Sequence, residues 1–169
     1  MKKVLVAYFS LSGMTESMAQ YIGEGIRISG QEAKVKRIAD IKKPDELTGY
    51  DGYIFGSPTH FRDVPEPMKN FLWMANKAGL KGKLGGAFGS YKHDGGASAL
   101  IFDTLQHIFE MEPFELGPLN MKEDMLETPR RDEKVGSKYI AGEAFSGVGE
   151  GRRACQDYGK VFGERLTRS

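Results

Sequence analysis

Ser10, Ser12 and Thr15 place three hydroxyl donors within six residues, and Gly13 stands between them. Hydroxyls donate without carrying charge, and glycine permits the tight turn that would converge them. No Lys or Arg lies between Val4 and Ile26. A neutral, donor-rich turn suits one phosphate monoester. The triphosphate loop Gly-x4-Gly-Lys-Ser/Thr is absent, and one Gly stands where a dinucleotide fingerprint needs three. Ser and Thr are also ordinary helix caps, and from the loop alone both readings stand.

Such a turn works only if the elements around it aim it. The run Val4–Phe9 is continuously apolar, as in a strand buried on both faces. Met18, Ile22 and Ile26 recur every four residues, the face of a helix. Strand, turn and helix in that order bring the unpaired N–H groups of the helix start to the hydroxyls.

The rest of the chain repeats the alternation. Ala33–Ile38 alternates apolar and basic residues and reads as an edge strand. Ile41–Tyr50 is a loop or one or two helical turns. Asp51–Pro58 is a buried strand ended by Gly-Ser-Pro. Asp63 and Glu66 have the spacing of a capping-box variant, with Pro65 and Pro67 in a first helical turn. Val64, Met68, Phe71, Leu72 and Ala75 mark that helix's apolar face. Lys83–Ser90 is a Gly-rich strand. Leu100, Ile101, Leu105, Ile108 and Phe109 mark the next helix. Pro113–Leu119 starts a fifth strand, which Tyr139–Gly142 resumes after the charged, aperiodic stretch Asn120–Lys138. Ser146–Gly151 is a connector, and Ala154, Tyr158, Val161, Phe162 and Leu166 face inward from a final helix.

Five strand–helix alternations predict an α/β fold with a parallel sheet covered on both faces. Ligands of such sheets sit at the carboxyl ends of the strands. The loops after strands one, three and four would meet there. The chain has 169 residues, 40% hydrophobic, with a net charge of +1. That predicts a single domain over residues 1–169 and gives no electrostatic case for nucleic acid or an anionic membrane. One cysteine, Cys155, excludes an internal disulfide and a four-Cys iron–sulfur site. The N-terminal apolar run is too short for a signal peptide or a membrane span, and a cytoplasmic location is expected. The histidines at 60, 93 and 107 lack metal spacing. His107 and Cys155 fall on or beside apolar helix faces and read as structural. Gly147–Arg153 reads as a linker leading into a helix.

Ser10-Leu11-Ser12-Gly13-Met14-Thr15 resembles the phosphate loop of the flavodoxin family. Tyr50–Leu72, with Gly56-Ser57-Pro58-Thr59-His60-Phe61, is similar to the flavin-ring segment of two relatives. These are the tryptophan-repressor-binding-protein type of NAD(P)H:quinone oxidoreductase and the flavodoxin module of A-type flavoproteins. Lys83–Gly96 is similar to the third flavin loop of that module. The resemblance implies a flavodoxin-like three-layer sandwich, a five-stranded parallel sheet in the order 2-1-3-4-5, and FMN as cofactor. It implies that Ser10, Ser12, Gly13, Met14 and Thr15 hold the phosphate. Pro58, Thr59, His60 and Phe61 would line one side of the flavin ring. Ser90, Tyr91, Lys92, Gly95 and Gly96 would line the other, with Phe61 and Tyr91 as candidate stacking partners.

Two functions are compatible with the resemblance. One is a carrier that moves electrons between ferredoxin-like or flavoprotein partners; the other is an FMN-dependent NAD(P)H:quinone oxidoreductase. The Thr59-His60-Phe61 segment speaks for the second, while the chain lacks the insertion those reductases carry before their third strand. The first is the leading expectation. The reductases assemble as tetramers and carriers are mostly monomers, which leaves the oligomeric state open. A cofactor-free binding module of the same fold is a third reading, and the intact hydroxyl loop argues against it. A response-regulator receiver fails because Ser10 and Ser57 stand where it needs acids. His60, Arg62, Lys92 and His93 outnumber Asp63 and Asp94 in the flavin loops. Cations favour the negative charge of reduced flavin, so a potential less negative than in acidic flavodoxins is expected. Asn120–Lys138 is the candidate for partner or substrate choice.

Overall fold

The computed structural model describes residues 1–126 and 150–168. Its strands are β1 (Lys3–Tyr8), β2 (Glu32–Arg37), β3 (Gly52–Pro58), β4 (Leu84–Tyr91), β5 (Glu112–Pro113) and β6 (Leu119–Lys122). Its helices are α1 (Met14–Ile28), α2 (Glu66–Ala75), α3 (Ala97–Asp103) and α4 (Glu150–Thr167). The sheet is parallel in the order β2-β1-β3-β4-β5, and β6 also pairs with β4. This is the expected 2-1-3-4-5 order, with β5 and β6 sharing the fifth position.

Alternation along β1 and β3 divides the core. Leu5, Ala7, Tyr53 and Phe55 face α2 and α3, where Met68, Phe71, Leu72, Ile101 and Leu105 are buried. Val4, Val6, Tyr8 and Ile54 face α1 and α4, where Met18, Ile22, Ile26, Cys155, Tyr158 and Phe162 are buried. The result is three layers. The second interface is unusually close: a Cβ at Gly25 would strike the Gln156 carbonyl, and one at Gly159 would strike that of Ile22. Helix backbones touch there because neither residue has a side chain.

Four expectations need correction. The Asp63–Glu66 capping box does not form. The Asp63 carboxylate accepts from Val64 N–H at 2.7 Å and from Lys69 Nζ at 2.5 Å, and α2 starts after Pro65. Leu100 and Ile108 are 44% and 62% exposed. A π turn over Thr104–Ile108 adds a residue to the winding. It keeps Ile101, Leu105 and Phe109 inside and rotates Ile108 out. The same rotation leaves His107 exposed, so it is no core histidine. Finally, Pro113–Leu119 is not one strand. Only Pro113 and Leu119 pair with β4, and Asn120–Lys122 belong to β6 instead of an aperiodic excursion. The Tyr158 hydroxyl enters the gap, accepting from Ala87 N–H at 3.3 Å and donating to the Gly117 carbonyl at 2.7 Å.

Glu150 and Gly151, placed in the connector by sequence, already belong to α4. Arg152 pairs with Glu24 at 3.6 Å and lies over the Tyr21 ring. The Tyr139–Gly142 strand and Gly147–Gly149 lie outside the described residues. Ile41–Tyr50 contains one short helical turn, Pro44–Leu47. Among the described residues, no helix is long and apolar enough to cross a membrane.

Candidate functional site

Parallel pairing brings the loops after β1, β3 and β4 to one end of the sheet. A short network fixes them there. Thr15 Oγ1 and Ser90 Oγ are 2.8 Å apart and buried. Thr59 N–H donates to the Ser90 carbonyl at 3.1 Å, and Ala97 N–H donates to Thr59 Oγ1 at 3.1 Å. One residue from each loop is thereby tied to another.

Above this network lies a cavity of about 810 Å³. Ser12, Pro58, Thr59, His60, Phe61, Tyr91 and Lys92 of the predicted site line it. Leu11, Arg62, His93, Asp94 and Glu123 complete the wall. Thr15 and Ser90 lie beneath, turned to each other, and not on the cavity surface. Gly95 and Gly96 shape the loop after β4. A Cβ at Gly95 would strike Asn120 Nδ2 and the Tyr91 ring, and Asn120 Nδ2 donates to the Gly95 carbonyl at 2.8 Å. Met14 opens α1 and is half-buried.

The hydroxyl loop is not used up by capping. The residue before α1 is Gly13, at φ 94°, and no side chain caps the helix. Ser10 Oγ accepts from Gly13 N–H at 3.1 Å, which leaves its own proton free to donate. Ser12 is exposed. The first bond of α1 is Ser17 N–H to the Gly13 carbonyl, so the preceding N–H groups are available to an anion.

The wall after β3 is a tight turn. His60 and Asp63 exchange both backbone hydrogen bonds at 2.9 Å. Phe61 and Arg62 between them adopt φ of 50° and 64°. Neither is the Gly or Asn that this conformation favours, and such residues cost about 1–3 kcal/mol each where structure over-determines them. Phe61 is fully exposed at the tip. Arg62 Nε reaches Asp94 Oδ2 at 3.2 Å, linking this turn to the loop after β4. The Lys69 ammonium, and then Val64 N–H, hold the Asp63 carboxyl below its usual range.

A second cavity of about 450 Å³ lies on the β2 side of the hydroxyl loop. It shares Leu11 and Ser12 with the first. Tyr8, Glu16 and Arg37 meet in its wall. The Tyr8 hydroxyl donates to Glu16 Oε1 at 2.9 Å, and Arg37 Nη2 lies 3.4 Å from the same oxygen. Burial, then the Glu16 hydrogen bond, pushes the Tyr8 phenol up. Sequence reasoning missed this cluster because Arg37 lies far along the chain and reaches Tyr8 and Glu16 only through β1–β2 pairing. It missed Glu123 and Asn120 because a charged stretch carries no strand period. Among the described residues, no three His, Cys, Asp or Glu side chains gather as a metal would require.

The model of the flavodoxin family matches residues 6–130. The chain belongs to the flavodoxin family. Its curated relatives include an NAD(P)H dehydrogenase (quinone) of Gluconacetobacter diazotrophicus, 32% identical over 93% of this chain and 89% of that protein. A solved flavodoxin from the domain Archaea is 25% identical and superposes with a TM-score of 0.75 over 98% of this chain and 99% of that one. The flavodiiron protein of Giardia intestinalis, 20% identical with a TM-score of 0.77, shares the fold over 99% of this chain and 37% of its own.

This flavodoxin is an FMN protein of redox function. Its residues fit that cofactor. The neutral donor set at the end of β1 matches a phosphate monoester, and the adjoining cavity falls within the roughly 300–1,000 Å³ typical of small-molecule sites.

Proposed function

We propose that this flavodoxin is an electron carrier, exchanging electrons with protein partners at the mouth of the main cavity. The single observation that carries this reading is Phe61. An aromatic side chain fully exposed on a strained turn, beside the 69% exposed Leu11, is an apolar contact set at the cavity rim. Exposed aromatics of this kind anchor protein interfaces, and strain persists where function requires it. Ferredoxin-like or flavoprotein partners fit this role. The near-complete mutual coverage with the archaeal flavodoxin is consistent with it. One domain located in the cytoplasm is part of the same proposal.

Ser10, Ser12, Gly13, Met14 and the first N–H groups of α1 receive the phosphate in this reading, with Thr15 and Ser90 bracing the loop from beneath. Pro58 to Phe61 and Tyr91 to Gly96 flank the ring in this reading, with Phe61 and Tyr91 as its candidate stacking partners. FMN, when bound, supplies electron transfer in steps of one or two; the protein supplies orientation and local charge. No acidic excess gathers there among the described residues: Asp63 is engaged by Lys69 and Asp94 by Arg62, and Lys92 stands against Glu123. The expected potential for full reduction is less negative than that of acidic flavodoxins. A titrated value as low as theirs overturns this point.

A second reading, NAD(P)H-dependent quinone reduction, is favoured by the relatives of that name. Stepwise anaerobic reduction of the FMN-loaded protein, followed by visible absorbance, separates the two. Two resolved one-electron stages support the carrier. A single two-electron stage, with rapid reduction by NADH or NADPH and turnover of a benzoquinone, replaces it with the reductase.

A further inference from the structure

The hydroxyl loop has donors but no positive charge to set against a phosphate. Between Lys3 and Glu24 the sequence has one charged side chain, and it is an acid, Glu16. Glu16 stands in the first turn of α1. A carboxylate there suits the helix dipole, but it repels a phosphate received at the same N–H groups. Glu16 lines one cavity together with Ser10, Ser12 and Gly13 of the loop. The compensating charge comes from another strand. β1 and β2 pair in parallel with Tyr8 opposite Arg37, so β2 delivers its last residue beside the end of β1. Among the described residues, Arg37 is the one basic residue in the wall of that cavity.

The contacts of Arg37 hold it there without using it up. Its Nη2 lies 3.4 Å from Glu16 Oε1, and the Tyr8 hydroxyl donates to the same oxygen at 2.9 Å. Tyr8 is buried in the core, so the carboxylate is fixed from the protein side. A guanidinium carries five N–H donors in a planar fork that matches phosphate oxygens, and Glu16 engages one nitrogen of it. The Arg37 side chain is 63% exposed, and an ion pair that open to water adds little to folding stability. Its position in the cavity wall is therefore better accounted for by a ligand than by the fold.

We propose that Arg37 is a phosphate-binding residue of the FMN site. It supplies the cation that the loop lacks, and Glu16 and Tyr8 are positioning residues that aim it. Arg37 thereby sets the preference for FMN over riboflavin, the same flavin without the phosphate. The inference rests on the reading of Ser10–Gly13 as the phosphate loop.

Calorimetric titration of the cofactor-free protein with FMN and with riboflavin tests it. Arg37→Ala is expected to weaken FMN about tenfold, the scale of one charge-assisted hydrogen bond to a partly exposed group, with riboflavin held within about twofold. Arg37→Lys, which keeps the charge and loses the fork, is expected to recover FMN affinity to within about threefold of the parent. In a Glu16→Gln background the Arg37→Ala loss is expected to persist, because the phosphate remains as its partner. The melting temperature of each cofactor-free variant is the folding control. An equal loss of FMN and riboflavin in Arg37→Ala, or no loss of FMN, overturns the proposal. A loss that vanishes in the Glu16→Gln background also overturns it, since Arg37 would then do no more than neutralise Glu16. Failure of the parent protein to bind either flavin is a different result: it removes the FMN reading of the site, and this inference with it.

Discussion

The two ends of α1 meet different surroundings. Its later turns lie against α4 with backbone touching backbone at Gly25 and Gly159, and Cys155 is sealed in the same interface. Its first turn faces the hydroxyl loop, where Ser12 is exposed and Ser10 keeps a free proton. At one end the two helix backbones meet, and a Cβ added at Gly25 or Gly159 collides. At the other, donors are held in place without protein acceptors. A single helix thus combines a closely packed anchor with a poised binding end. The anchor lets the binding end keep unsatisfied groups without loosening.

Filling the anchor should produce the largest effect. Gly159→Leu forces the helices apart and is expected to cost 3 kcal/mol or more, on the order of the upper range for overpacking. Chemical denaturation checks it, and a loss below about 1 kcal/mol would break the contrast. Alkaline pH probes the same interface. Burial pushes the Cys155 thiol from 9.0 up to about 12 and raises the Tyr158 phenol as well. Both groups favour the folded state while protonated. Their contribution is full below the unfolded values and is lost as pH rises toward the folded ones. Cys155 alone predicts a loss of about 1.4 kcal/mol per pH unit between 9.0 and about 12. Denaturation midpoints at pH 8, 9 and 10 measure the slope, and Cys155→Ala should flatten it.

The poised end should respond in affinity and not in stability. Ser10→Ala is expected to weaken FMN binding about tenfold and to move folding stability by less than about 0.5 kcal/mol. A comparable loss of stability would mean the loop is a structural cap after all. The smallest effect belongs to the exposed pair across the cavity. Arg62→Ala or Asp94→Ala should change stability by less than about 0.5 kcal/mol. Phe61→Gly relieves a strained φ, and its stability should stay level or rise while electron exchange with a protein partner slows.

How legible these regions were follows from the range of the interactions. The elements came from local periodicity: β1, β3 and β4 as apolar runs, α1 and α2 as four-residue repeats. Periodicity failed where the backbone departs from an ideal repeat, at the π turn of Thr104–Ile108 and at the break between Pro113 and Leu119. The hydroxyl loop was legible because its residues are contiguous. The Thr15–Ser90 bond was not, because 75 positions separate its members.

The sequence by itself determined the alternation of elements, the loop chemistry of Ser10–Thr15 and the neutrality of that loop. These depend on residues within a turn or two of one another. Tertiary structure decided which side chains share a surface. It turned Thr15 inward to Ser90, set Phe61 exposed at the cavity rim, and brought Arg37 to a loop that has no cation of its own. Strand pairing sets those distances, and pairing is a property of the whole sheet.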